Sequence, residues 1–259
     1  MQRVLFHSTI FGPIHSRRLG VSLGVNLTPN DGKVCTFDCL YCEAGFNAQG
    51  PGTTGFTPRA EVARLLGEKL KAMHEAGDPL DVITFSGNGE PTLHPEFAGI
   101  IDDTLALRDR YYPEAKVSVL SNSTRIWTPE VVEALRKVDN NILKLDSAIT
   151  PTMRLIDRPT QESFTSERVI EGLKTFAGQC IIQTMLLRGE HDGHVIDNTT
   201  PGEIDALIEA YKAIRPREIM LYSIDRKTPA EHLVKVPSVE IRAIGERVTS
   251  ATGIPVEAV

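Results

Sequence analysis

The sequence predicts a parallel α/β fold, either an open doubly wound sheet or an incomplete β/α barrel, and three observations predict it. Six short apolar runs are each followed by a stretch whose apolar residues recur with helical period. The runs are apolar throughout rather than alternating, as strands covered on both faces require. Polar motifs follow the C-terminal ends of the runs, where both architectures put their active sites. Periodicity leaves the two architectures open, because six units are fewer than a full barrel needs.

Residues 22–27 (SLGVNL) read as the first strand, and a loop carrying three cysteines follows it. Val62, Leu65, Leu66, Leu70 and Met73 then share one helical face, with Thr57 as N-cap and Pro58 in the first turn. Residues 81–86 (DVITFS) make the second strand, and His94-Pro95 opens a helix running to about Arg110. Residues 116–120 (KVSVL) form the third strand, with Thr128-Pro129 opening the helix behind it. The fourth is 142–145 (ILKL), and Val169, Leu173 and Phe176 mark its helix. The fifth and sixth, 180–187 (CIIQTMLL) and 218–222 (EIMLY), are separated by a helix bearing Ile204, Leu207, Ile208 and Tyr211. Thr200 and Glu203 give that helix a capping box. A last helix carries Ile241, Ile244 and Val248.

At 259 residues and 41% hydrophobic, the chain can bury a substantial core. Its longest apolar runs fall far short of the roughly 20 residues that cross a bilayer. The first ten residues show no secretory apolar region, so no membrane partner and a cytoplasmic address are expected. A net charge of −6 and a pI near 5.7 argue against a long nucleic-acid footprint, which clustered Lys and Arg would supply. Arg17-Arg18 is the best candidate for a local basic patch, the alternative being two solvated surface arginines. Residues 45–58 (GFNAQGPGTTGFTP) are glycine-rich and aperiodic, and read as a mobile loop beside the cysteines and a candidate lid.

The strongest chemical signal is CTFDCLYC, which puts Cys35, Cys39 and Cys42 on the loop after the first strand. Thiolates are soft ligands suited to iron–sulfur clusters and zinc. A structural zinc site wants a further ligand pair. The remaining cysteine, Cys180, begins an apolar strand and reads as a small core residue, and the histidines show no ligand spacing with the triplet. Three thiolates without a fourth leave one iron of a cubane open, a place for a substrate or cofactor to coordinate. After the second strand comes SGNGEPT, Ser86 to Thr92. Glycines at a strand end let backbone approach a ligand closely, and a following carboxylate can accept from an ammonium group. Alone, the segment also reads as an ordinary turn. Asn122 and Ser123 follow the third strand and Asp146 the fourth, as site residues or as caps and turns. Gln183 and Met185 share one face of the fifth strand, and Tyr222 ends the sixth.

The spacing C-x3-C-x2-C, with Tyr41 before the last cysteine, resembles the defining motif of the radical S-adenosylmethionine superfamily. Gly87-Asn88-Gly89-Glu90-Pro91 looks like that superfamily's glycine-rich segment, with Asn88 where glycine is more usual. Residues 13–29 (PIHSRRLGVSLGVNLTP) and the Asp157-Arg158-Pro159 triplet resemble, further, a compact branch related to the tRNA wybutosine-synthesis enzymes. The resemblance implies a partial (β/α)6 TIM-like barrel of parallel strands, which decides between the two architectures. It implies one domain over residues 1–259, with an N-terminal segment 1–20, a core barrel 21–250 and a short tail 251–259.

For the chemistry, the resemblance implies a [4Fe–4S] cluster on Cys35, Cys39 and Cys42, with S-adenosylmethionine chelating the open iron. Glu90 would meet the methionyl amine; Tyr41, Gly87, Asn88, Gly89, Asn122, Ser123, Asp146, Gln183, Met185 and Tyr222 would complete the cofactor site. Reductive cleavage would give methionine and a 5′-deoxyadenosyl radical that removes hydrogen from a small molecule, an RNA nucleoside or a peptide. Arg17, Arg18 and Glu43 flank the site as candidate substrate contacts. With no second cysteine cluster, electrons are expected from an external flavodoxin- or ferredoxin-like donor. Two other readings stand beside this one: an activase that makes a glycyl radical on a partner protein, and a non-catalytic iron–sulfur or zinc-binding module.

Overall fold

The structure is a computed structural model and describes residues 3–16 and 20–259. The chain opens with β1 (Ile10–Ser16) and β2 (Gly20–Val25), paired antiparallel. It leaves the sheet for the cysteine loop and returns as α1 (Arg59–Ala76), whose Val62, Leu66, Leu70 and Met73 are buried at helical spacing. Regular units follow: β3 (Val82–Phe85) and α2 (Phe97–Tyr111), then β4 (Lys116–Ser121) and α3 (Pro129–Lys137). Next comes β5 (Asn140–Lys144), with the two short helices α4 (Thr150–Asp157) and α5 (Ser166–Leu173). The rest comprises β6 (Cys180–His191), β7 (His194–Asp197), α6 (Pro201–Ile214), β8 (Glu218–Ser223), β9 (His232–Lys235), α7 (Ser238–Thr252) and β10 (Val256–Ala258).

Strands β2, β3, β4, β5, β6, β8 and β10 pair in parallel in that order, with β1 antiparallel on the outer edge of β2. Among the described residues no ladder joins β1 to β10, so the barrel stays open on one side. This is the mostly parallel partial barrel expected, with an added strand at each edge. Residues 251–259, expected as a tail, carry β10, which pairs with β8 from Val256 to Ala258. The helices cover the outer face, and the main apolar core lies between them and the sheet. A second small cluster, Ile142, Ile181 and Met220 with Leu120 against it, lies apart from that core.

The strands are buried because helices cover one face and the closing curvature covers the other, which is why β3 and the first eight residues of β6 are buried without a break. The last four residues of β6 are more polar, and there the strand leaves the barrel to pair antiparallel with β7 and β9. Helix α1 begins one residue later than expected, with Pro58 as N-cap. Thr57 is engaged elsewhere: its hydroxyl meets Thr9 Oγ1 at 2.8 Å and its carbonyl meets His94 Nε2 at 2.9 Å. At the start of α6, Thr200 Oγ1 accepts from the Glu203 N–H, but the Glu203 carboxylate accepts from Ser147 Oγ at 2.6 Å instead of closing the box.

The glycine-rich stretch expected as a mobile loop is tied down. The Asp31 carboxylate accepts from the backbone N–H and the hydroxyl of both Thr53 and Thr54, which holds its pKa well below the usual range. Gly32 lies so close to this stretch that a Cβ there would stand 2.4 Å from Gly52 N. Asp31→Ala is expected to speed amide exchange at Thr53 and Thr54 by about tenfold or more, read by hydrogen–deuterium exchange, while α1 keeps its protection.

Candidate active site

The cysteine loop sits at the C-terminal end of β2, held there by three neighbouring segments. The first is the Gly87–Glu90 turn after β3. Val34 pairs with Gly89 as an isolated parallel bridge: Val34 N–H donates to Asn88 O at 3.2 Å, and Glu90 N–H donates to Val34 O at 3.1 Å. A Cβ on Gly89 would stand 1.8 Å from Val34 O, so glycine is required there for contact between two backbones. The Asn88 side chain faces away from the lumen to the N-terminal segment. Its Nδ2 donates to Phe6 O at 2.8 Å and Pro29 O at 2.9 Å, and its Oδ1 accepts from Phe6 N–H at 2.8 Å. An asparagine in this glycine-rich turn thus clamps residues ahead of β1. Glu90 is buried and spanned by donors: Oε1 accepts from Thr92 N–H and Oγ1, and Oε2 accepts from Asn122 N–H at 2.7 Å. Burial raises its pKa above the ordinary carboxylate value.

The second segment follows β4. Asn122 Nδ2 reaches Thr36 Oγ1 at 2.9 Å and Cys35 Sγ at 3.5 Å, and the Thr124 and Thr36 hydroxyls meet at 2.7 Å. Ser123 has φ of 68° and its hydroxyl donates to Lys144 O, tying this turn to β5. The third segment is Asp157-Arg158-Pro159, which runs alongside the cysteine loop. Leu40 N–H donates to Ile156 O, Asp38 N–H to Asp157 O, and Thr160 N–H to Thr36 O, with Phe37 bridging to Pro159. Arg158 also lies over the Phe46 ring and pairs with Asp38. The triplet carried only a family resemblance in the sequence; its tertiary role is a strap across the cysteines.

The cysteines themselves are not in disulfides. Phe37 N–H donates to Cys35 Sγ at 3.4 Å, and Cys39 Sγ lies 3.6 Å from Asp157 Oδ1. Burial, with the Glu90 carboxylate adding to it, pushes the Cys35 thiol up to about 11, and burial pushes Cys39 well above its usual value. Cys180 lies on β6 opposite Asn141, at the N-terminal end of the sheet, away from this loop, with its thiol pushed by burial up to about 12.

Two lysines that sequence reasoning passed over stand among these groups. Lys33 is buried, its Nζ donating to Gly45 O at 2.9 Å. Lys144, the last residue of β5, lies on the same strand face as Ile142. Its Nζ is 4.0 Å from Cys39 Sγ, 3.3 Å from Asp146 Oδ2 and 3.8 Å from Asp157 Oδ1, and it sits against the Tyr41 hydroxyl and ring. Burial works against its charge, but Asp146, Cys39 and Asp157 more than offset that and raise its pKa well above the ordinary value. The signal was present: a lysine inside the apolar run ILKL has no structural reason to face a lumen unless it meets anions there. Asp146 links the group to β6, accepting from Met185 N–H at 2.8 Å, and Tyr41 hydrogen-bonds its other oxygen.

A cavity of about 270 Å³ is lined by Ser22, Thr84, Ser86, Ile142, Gln183 and Met220 among others, with Phe11, Ile14 and Arg226 also on its wall. Ile14 and Arg226 also line a cleft of about 520 Å³, together with Glu43, Tyr222, Asp225 and Lys235, beside the edge strands β1 and β10. Gln183 therefore lines the interior cavity and Tyr222 the lateral cleft, while Met185 belongs to the main apolar core. Glu43 pairs with Arg226 at 2.6 Å at the cleft. Arg17 and Arg18 lie outside the described residues.

Among the described residues no three His, Cys, Asp or Glu side chains converge on a point as ligands of one ion. A cubane makes a different demand, because each thiolate binds its own iron at a separate corner. The donor set fits it: three unpaired soft thiols on one pinned loop, with N–H groups of Phe37 and Asn122 aimed at the Cys35 sulfur, as hydrogen bonds to cluster sulfurs are.

Residues 30–199 match the profile of the radical SAM superfamily. A UPF0026 protein of Helicobacter pylori (strain J99) is 28% identical over 221 residues, 84% of this chain and 66% of that protein. The chain thus spans just under two thirds of that relative's length. A radical SAM methyltransferase from Sphaerobacter thermophilus superposes with a TM-score of 0.67 at 16% identity, covering 91% of this chain and 65% of that one. A structure of TYW1 with a lysine–pyruvate adduct bound gives a TM-score of 0.57 at 17% identity over 88% of this chain and 73% of that one. At such identities the two structures share the fold. No helix among the described residues is long and apolar enough to cross a membrane.

Proposed function

The chain belongs to the radical S-adenosylmethionine superfamily, and from that premise we propose that it is an enzyme whose Cys35, Cys39 and Cys42 hold a [4Fe–4S] cluster with one iron left for S-adenosylmethionine. The observation that carries the reading is the bracing of the cysteine loop from three sides at the open ends of β2 to β5. When bound, cluster and cofactor would supply a one-electron cleavage of the sulfonium and a 5′-deoxyadenosyl radical for hydrogen abstraction.

The protein's own part is to position and to keep dry. Lys144, its ammonium beside the Cys39 sulfur, is the cation we assign to the cofactor carboxylate, in exchange for its contacts with Asp146 and Asp157. Glu90 fixes the Asn122 backbone against the cysteine loop, and Asn122 in turn orients Cys35. The partly apolar cavity wall, from Leu120 through Ile142 to Met220, excludes water from a reactive intermediate. The cleft between β1 and β10 is the route for substrate, with the Glu43–Arg226 pair at its wall. Electrons come from an external flavodoxin- or ferredoxin-like donor. Anaerobically reconstituted protein is expected to hold about four irons and, with dithionite, to release 5′-deoxyadenosine and methionine together. A full cluster with bound S-adenosylmethionine and no such release rejects the reading, and stoichiometric zinc in anaerobically purified protein would favour a non-catalytic module.

A further inference from the structure

Resting on the cluster assignment above, we propose that Lys33 is a charge-tuning residue: its buried ammonium lies within the cysteine loop and raises the reduction potential of the cluster that loop holds. Lys33 is two residues ahead of Cys35, and its side chain is 1% exposed. One of its N–H groups goes to Gly45 O at 2.9 Å, and Asp38 Oδ1 is 3.5 Å from its nitrogen. Gly45 N–H donates in turn to Cys42 O at 2.9 Å, so the ammonium ties the start of the loop that carries all three cysteines to its end.

Asp38 compensates that charge only in part. It is more exposed than Lys33, with side-chain exposure of 15%, and it is shared. Asp38 Oδ1 accepts from Asn47 N–H at 2.6 Å, and Oδ2 lies 3.6 Å from Arg158 Nη2. A carboxylate serving three donors screens Lys33 less than one dedicated to it. Reduction by an external donor would add one electron to the cluster and make it more negative. A fixed cation in a low-dielectric wall favours that more negative form, so its removal makes reduction harder. A lysine whose task was only to hold the Gly45 carbonyl would change stability and leave the potential unmoved.

The test is an anaerobic redox titration of reconstituted full-length protein, followed by electron paramagnetic resonance, with iron content measured in parallel. Lys33→Met is expected to keep its iron and to lower the equilibrium constant for reduction about tenfold, or about 59 mV for one electron. Lys33→Arg should stay within about threefold of wild type, and Asp38→Asn, which removes the counter-charge, should shift the equilibrium the other way. An iron-replete Lys33→Met whose potential matches wild type overturns the proposal. Should Lys33→Met fail to retain iron, iron-replete Lys33→Gln decides in its place: a lowered potential supports the proposal, and an unchanged or raised one overturns it. A wild-type protein that binds no cluster overturns the assignment of function and this inference together. A wild-type cluster with indifferent variants overturns this inference alone.

Discussion

Replacing Cys35, Cys39 or Cys42 by alanine is expected to abolish iron binding and 5′-deoxyadenosine release together, whereas Cys180→Ala leaves both intact. In the proposed site each of the three would supply one thiolate, each to its own iron. Cys39 is 7% exposed and faces Asp157 and Lys144, so water cannot freely take its place. Release of 5′-deoxyadenosine should fall by about a thousandfold or to background, well beyond the 10- to 100-fold effect of losing an outer-shell partner. Cys180 begins β6 at the end of the sheet away from the loop and is fully buried among apolar groups. Its replacement removes one small buried group, at a cost of about 1 kcal/mol. Iron per chain and 5′-deoxyadenosine by chromatography read both halves of the prediction. Loss of iron in Cys180→Ala would show that the ligand set is wrong.

Gly89→Ala should be among the most damaging single substitutions outside the cysteines. The added methyl would meet Val34 O at 1.8 Å, and that carbonyl cannot retreat without giving up its bond from Glu90 N–H. Val34 adjoins Cys35, so the displacement goes directly into the cysteine loop. We expect a loss of roughly 3 kcal/mol or more, which for a chain of this size lowers the melting temperature by about 6–12 °C. Iron occupancy after reconstitution should fall as well. Gly202→Ala is the control: it lies in the first turn of α6 with nothing near its missing Cβ, and should be neutral or stabilising by about 0.5–1 kcal/mol. Equal thermal unfolding of Gly89→Ala and wild type would show that the two loops are not knit as described.

Much of the framework was legible because it is written locally. The six parallel strands and most of the helices after them follow from apolar runs and helical period, with ends shifted by only a few residues, as at Pro58 and Phe97, but the eight-residue α4 was not read. Strands β7 and β9 escaped notice because each has only four residues, of which Ile196 in β7 alone is buried, too few to show an alternating apolar face. Strand β1 was obscured by the Gly12-Pro13 pair and an irregular register between Phe11 and Ile14. Strand β10 is short and half-buried, and reads as an ordinary chain end.

The site divides in the same way. Three thiols at C-x3-C-x2-C were visible at once, since their chemistry depends on residue type and spacing within one loop. The glycine-rich turn was correctly placed after β3, but its residues do something local patterns cannot state: Gly89 accommodates a neighbouring backbone and Asn88 holds Phe6. Lys33 was silent because a lone lysine in a loop has no period or motif, whereas Lys144 stood out only as the one charge inside the apolar run ILKL.

By itself the sequence determined that this chain folds as parallel β/α units and presents three adjacent thiols after the first of them. Only the tertiary structure decided what surrounds those thiols, because the contacts that brace them join Val34 to Gly89, Thr36 to Thr124 and Leu40 to Ile156. Such pairs are set by how neighbouring strands align at the barrel's open end, and separation along the chain carries no trace of that alignment.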